Sequence, residues 1–279
     1  ATDSLQFLRR VSGDRDSHPG RAVKLRIIVP PLLFFALIIA IWQYVSSKQL
    51  IAFWIVPSPL AVLQVFQDSP QLIWQHLKPT LLAAVVGLLL SVLLGAITAI
   101  AMDASKLIKQ VLYPYLVVSQ TIPIIAIAPL LIIWFGYGIS SKIFAVILMC
   151  FFPIALGLYD GLRSISAEHI RLLVSMGASP FKVFTLLKLP SSLPAFFTGL
   201  KLAATYSVMA AVIGEWLGGS AGLGIYMTRA TKAYQTAHVF AVILVIIALS
   251  MLLFGIVAIL DRLLLSWKYQ KEDEYIEAN

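Results

Sequence analysis

The sequence predicts an all-α protein that crosses a membrane six times, and three observations carry that prediction. Of 279 residues, 60% are hydrophobic and only 12% are charged, with a mean hydropathy of +0.91. A soluble domain carries roughly 45–50% apolar and about 25% charged residues, so too few charges are present to cover a soluble surface of this size. Six stretches of about 20 apolar residues, the length that crosses a hydrocarbon core as a helix, lie along the chain. The cations are distributed unevenly between alternate connections, as in a multi-pass protein. Composition also excludes a disordered chain, a collagen-like repeat and a disulfide scaffold. The single cysteine, Cys150, lies inside an apolar run and reads as a small core residue.

The first span is Ile27 to Val45, which ends in Trp42-Gln43-Tyr44 and reads as a retained anchor rather than a cleaved signal. The second is Pro79 to Met102. The third, Leu112 to Phe135, is interrupted by Pro114, Pro123 and Pro129. The fourth is Ile143 to Leu162, with Pro153 inside it; the fifth is Leu193 to Leu217; the sixth is Val239 to Leu265. Residues 1–26 form a basic tail, residues 27–265 a single transmembrane domain, and residues 266–279 a short tail with Glu272, Asp273, Glu274 and Glu277.

Lys and Arg total 21 against 13 Asp and Glu, a net charge of +8. Nucleic acid is excluded as the partner, because no soluble basic domain carries the excess. With the N-terminus in the cytoplasm, the inner segments hold the arginines and lysines of the first 26 residues, then Lys106, Lys109, Arg163, Arg171, Lys182, Lys188, Lys201, Arg262, Lys268 and Lys271. The outer segments hold Lys48, Lys78, Lys142, Arg229 and Lys232, a split of about three to one. Both termini are therefore expected inside.

Two connections are too long to be turns. The outer one, Ser46 to Lys78, contains Pro57-Ser58-Pro59, which ends any helix. Leu60, Leu63 and Phe66 then recur at helical spacing and suggest a short amphipathic helix on the interface, with Trp54 and Trp74 in an aromatic belt. A structured cover without a ligand role is the plainer reading of this segment.

The inner connection, 163–193, has the stronger pattern. Ile170, Leu172, Leu173 and Met176 are apolar at helical spacing, and Gly177 can take the left-handed conformation that stops a helix. Ser179 is an N-cap with Pro180 at the first helical position. A second helix follows with Phe181, Phe184 and Leu187 on one stripe, expected to end at Leu189-Pro190. The product is a helix-turn-helix with its Gly177-Ala178-Ser179 corner presented to the cytoplasm.

Gly177-Ala178-Ser179-Pro180, eight residues, then Leu189-Pro190 resembles the EAA loop of ABC-importer permeases. Pro57-Ser58-Pro59 and Gly214-Glu215-Trp216-Leu217-Gly218, with Ala221-Gly222-Leu223-Gly224 after it, resemble the nitrate, sulfonate, taurine and pyrimidine-precursor or riboflavin subgroup. One position departs from the pattern. Arg171 stands where the family has the motif glutamate, and Leu172 and Leu173 replace its two alanines. Glu168, on the same helical face, either takes over the pairing with the ATPase or is a solvated charge. The resemblance implies that Glu168, Arg171, Gly177, Ala178, Ser179, Pro180, Leu189 and Pro190 form the ATPase-coupling loop. It also implies a second permease copy, two cytoplasmic ATPase subunits, an extracytoplasmic binding protein and a bacterial inner-membrane location. No phosphate-binding G-x-x-x-x-G-K-[ST] loop is present, so ATP and Mg belong to the partner ATPase and this chain is expected to bind no cofactor. A thiamine-precursor pyrimidine such as hydroxymethylpyrimidine, or riboflavin, ranks first as substrate, with nitrate, sulfonate or taurine behind.

Polar groups inside spans are candidates for the path. Ser119-Gln120-Thr121 precedes Pro123, where freed backbone groups need a protein or wet surrounding, so Gln120 and Thr121 are candidate lining residues or parts of a satisfied kink. Tyr206 and Ser207 are candidates of the same kind. Glu215, beside Trp216, is either a gate at the outer mouth or an anchor bonded to backbone amides or Arg229. Asp160 and Arg163 read as a structural pair or solvated charges. His18, His76, His169 and His238 show no metal-ligand spacing, and no catalytic grouping is present. A secondary transporter is the rival class, but it leaves the cytoplasmic corner unexplained.

Overall fold

The computed structural model describes residues 19–267. The first 18 residues of the basic tail and the acidic cluster of the C-terminal tail lie outside that range. The described residues divide after Leu63 into two compact units.

In the first unit, helix α1 (Pro19–Ser47) carries Pro30 and Pro31 and an apolar window from Val29 to Ser47. Leu33 and Phe34 on it are exposed, as suits an anchor whose surroundings are lipid. The chain after it folds back: the Trp42 indole N–H donates to the Pro57 carbonyl at 2.9 Å and the Ser46 hydroxyl to Val56 O at 3.3 Å. The expected short helix, α2 (Pro59–Asp68), straddles the division between the units. Its buried side chains are Val62 and Val65, whereas the stripe seen in the sequence, Leu60 and Leu63, is exposed.

The second unit is a helical bundle. It comprises α3 (Pro70–Ala104), α4 (Lys106–Thr121), α5 (Ile124–Phe135), α6 (Ile139–Arg163), α7 (Ala167–Ser175), α8 (Pro180–Val183), α9 (Leu189–Leu217), α10 (Leu223–Lys232) and α11 (Thr236–Leu264). Among the described residues, five helices are long and apolar enough to cross a membrane, or six with α4 and α5 counted as one broken span. The core lies between α6, α9, α3 and α11: Ala83, Ala84, Val146, Cys150, Ala203, Ala204 and Val208 are fully buried there. Small residues let these backbones approach, which is how helices gain packing energy when lipid removes the hydrophobic drive. A Cβ at Gly87 would lie 2.5 Å from the Val146 Cβ. Cys150 donates its S–H to Ala203 O at 3.2 Å within that core.

The third span departs from expectation. α4 and α5 meet at 104°. Of the three prolines only Pro123 makes the break: Ile122 before it is extended (φ −86°, ψ 116°), as a residue preceding proline tends to be, while Pro114 and Pro129 are carried inside their helices.

The inner connection also differs from expectation at its end. α8 does not stop at Leu189-Pro190 but passes through a π-helical turn, Phe184–Lys188, directly into α9. The wider turn accepts a proline, because the Leu189 N–H reaches back to Phe184 O and the ladder tolerates the missing Pro190 donor.

Three cations counted as loop charges prove to be built into the bundle. Lys142 is buried, Lys188 pairs with Asp103 at 2.8 Å, and Lys201 in α9 pairs with Asp261 of α11.

Candidate functional site

The 104° break opens a cavity of about 830 Å³. One wall is the break itself with the start of α5, from Ser119 to Ile127; the other is α6 at Leu148 to Pro153 and α9 at Leu202 to Ile213. Gln120 and Tyr206, both singled out in the sequence, line it. Phe152, Met149 and Met209 supply aromatic and thioether surface, and no charged side chain is among the lining residues. Thr121 is exposed, does not line this cavity, and donates its hydroxyl to Val118 O at 2.8 Å. Ser207 is fully buried, with its hydroxyl donated to Ala204 O at 2.8 Å.

Glu215 lies elsewhere, at the end of α9, and is fully buried. Its carboxylate accepts from the Thr80 hydroxyl at 2.8 Å and from the Gly224 N–H at 2.8 Å. The cation near it is Lys142, at 3.8 Å, and not Arg229, whose guanidinium donates to Ser220 O at 3.3 Å. Lys142 was not singled out in the sequence. Only its place inside the expected outer connection spoke for it, and that signal pointed to solvent. Trp216, partly exposed, lines a shallower recess of about 460 Å³ with Tyr137, Arg229 and Lys232. Tyr226 of α10 stacks on His76 with ring centroids 5.1 Å apart, and burial pushes its phenol above the ordinary range.

At the opposite end of α9, the Gly177-Ala178-Ser179 corner has the local geometry the sequence expects. Gly177 sits at φ +83°, with its N–H on Val174 O at 2.9 Å and the Ala178 N–H on Leu173 O at 3.0 Å, a left-handed helix stop. The Ser179 hydroxyl caps α8 by accepting from the Lys182 N–H at 3.4 Å, with Pro180 following. No residue of α7 is buried. Glu168 and Arg171 are exposed, and so are Leu172, Val174, Met176 and Phe181, the last two at 74%. Leu189 and Pro190 are partly buried at the start of α9. The corner is tied to the bundle by the Lys188–Asp103 pair, which joins the π-turn to the end of α3. Asp160 and Arg163, at the end of α6, are exposed. No group of three or more His, Cys, Asp or Glu able to hold a metal occurs among the described residues.

Residues 87–266 match the family described as binding-protein-dependent transport system inner membrane component. A protein of Haemophilus influenzae named "Probable ABC transporter permease protein" is 40% identical over 83% of this chain and 94% of its own length. The formylaminopyrimidine transport permease ThiX of Halalkalibacterium halodurans is 38% identical over 85% of this chain and 95% of its own. The riboflavin transport system permease RibX of Chloroflexus aurantiacus is 31% identical over 83% and 87%. Among solved structures, an amino acid ABC transporter matches the fold with a TM-score of 0.60 at 16% identity, covering 72% of this chain and 97% of that one.

Proposed function

The chain belongs to the family of binding-protein-dependent transport system inner membrane components, and from that premise we propose that it moves a small, uncharged, planar heteroaromatic solute of the thiamine-precursor pyrimidine class. Its general role is that of the permease subunit of an ABC importer, a multi-pass membrane protein that is not itself an enzyme. The cavity at the break carries the substrate reading. Phe152 and Tyr206 offer ring faces, Met149 and Met209 adaptable apolar surface, and the Gln120 amide both a donor and an acceptor for a ring edge. A nitrate or sulfonate would shed its water there with no cation among the lining residues to replace it, at a cost of several kcal/mol. The similarity to the formylaminopyrimidine and riboflavin permeases supports the same class.

In this reading the working assembly has two copies of the chain, two ATPase subunits holding ATP and Mg on the cytoplasmic side, and a binding protein outside. Both termini face the cytoplasm. Phe181, Met176 and Leu172 form the apolar face that seats in the ATPase, and Gly177, Ser179 and Pro180 make the turn stiff enough to transmit its closure. Arg171 and Glu168 set the charge on the rim.

Uptake of radiolabelled hydroxymethylpyrimidine by cells producing the chain with its ATPase and binding protein tests the substrate class. Saturable uptake competed by formylaminopyrimidine and untouched by taurine or nitrate is expected; competition by taurine would overturn it. Gln120→Ala is expected to raise KM about ten-fold at unchanged protein level, the worth of one hydrogen bond to a bound ring of about 1.4 kcal/mol.

A further inference from the structure

The end of the bundle away from the coupling corner contains a network that no step above uses. The loop between α9 and α10, residues 218–222, and the first residues of α10 are held by side chains from α3, α6 and α9. Lys142 of α6 donates to Ala221 O at 2.7 Å and lies 3.8 Å from the Glu215 carboxylate. The Thr80 hydroxyl of α3 donates to Glu215 and accepts from the Leu223 N–H at 2.9 Å. His76 Nδ1 lies 3.1 Å from the Gly222 nitrogen and 3.0 Å from its carbonyl oxygen, so the tautomer decides which of the two it bonds. Gly222 has φ +138°, and a Cβ there would collide with the Glu215 carboxyl group. A carboxylate and an ammonium that are both buried are costly unless each is paired and bonded, and here each is.

The loop in turn braces the cavity wall. A Cβ at Gly218 would lie 2.5 Å from Tyr137 Cδ1 and 2.9 Å from Ile132 Cδ1, so bare backbone rests against the end of α5 and against Tyr137, two residues beyond it. The start of α5, with the break before it, is the wall of the cavity that α6 and α9 do not supply.

We propose that Lys142 and Glu215 are a positioning pair for transport: through the 218–222 loop and Gly218 they hold α5 over the cavity, and loss of their mutual neutralisation frees α5 and opens the cavity from that end. The inference rests on the cavity being the solute path, and its test separates the two.

Met209→Cys places a thiol on the cavity wall, while Cys150 is buried and gives the background. Membrane vesicles containing the full-length chain are treated with a charged, membrane-impermeant methanethiosulfonate and the rate of labelling is read. Lys142→Met and Glu215→Gln, each added singly, are expected to raise that rate about ten-fold, because labelling follows the open fraction. The Lys142→Met/Glu215→Gln double variant, neutral on both sides, is expected to label several-fold more slowly than either single variant, though above the starting rate because the Lys142 bond to Ala221 O is gone. Equal rates in all four proteins would overturn the proposal. So would a double variant as open as the singles, because that is the mark of lost packing rather than lost charge balance. Should the charge variants fail to fold, Tyr137→Ala removes an exposed side chain from the loop contact without touching the buried pair. It is expected to raise labelling likewise, and an unchanged rate contradicts the brace. Blocked uptake after labelling of Met209→Cys supports the path itself. Uptake that survives labelling overturns the path reading while leaving the accessibility result intact.

Discussion

At the loop end of the bundle, Glu215, Thr80, Lys142 and Gly224 are buried, and the Glu215 carboxylate gathers the other three from three further segments of chain. At the Gly177 corner, α7 buries no residue, Leu172 and Val174 are exposed, and nothing packs within 4 Å of where a Gly177 Cβ would stand. The first region is complete within the chain; the second is a shape made by local rules and left open on its outer side. Polar groups in a membrane protein must be satisfied internally where no partner is due, and apolar surface outside the spans persists where one is. One end is closed within the chain; the other has the open apolar surface on which the proposed docking rests.

One substitution made at both ends gives the largest expected contrast. Gly222→Ala adds backbone strain and a collision with Glu215, and is expected to cost about 3–5 kcal/mol, read as lost folded protein or a lowered Tm in detergent. Gly177→Ala meets only the strain of its positive φ, expected to cost about 1 kcal/mol. Equal losses would dissolve the contrast. Next comes Asp103→Asn, which leaves Lys188 without its counter-charge where the π-turn meets α3. A loss of about 1–2 kcal/mol is expected for this partly buried pair, with ATP-driven uptake reduced as well, and unchanged thermal unfolding would remove the pair from the bundle's supports. Phe181→Ala, at the exposed corner, is expected to leave stability within about 0.5 kcal/mol while lowering uptake about ten-fold, the signature of a docking anchor. Smallest is Arg171→Gln. A rim charge on the docking face is expected to change uptake about two- to three-fold and to alter its salt dependence, with Tm unmoved.

What was legible in the sequence follows from the range of the interactions. Gly177, Ser179 and Pro180 act on neighbours a few residues away, so their pattern alone names the turn and its cap. The apolar runs named the spans for the same reason. Pro123 was visible, but the 104° angle it permits depends on what α5 packs against. Pro190 misled because a π-turn, set by the ladder from Phe184 to Leu189, absorbs it. Glu215 stood out as a buried charge, yet Thr80 lies 135 residues from it and Lys142 was read as an outside label. Nothing local marks such partners; only the packing of α3, α6 and α9 brings them together. The same holds for Lys201 and Asp261, sixty residues apart.

The claim that ties both ends together is that force enters at the corner and the solute moves through the cavity. It is tested most directly by uptake into proteoliposomes containing the chain with its ATPase and binding protein, with hydroxymethylpyrimidine outside and ATP enclosed with the ATPase. Uptake that requires ATP hydrolysis and is lost in Phe181→Ala is the expected result. Uptake that continues without ATP, or that Phe181→Ala leaves untouched while Tm is unchanged, would contradict it.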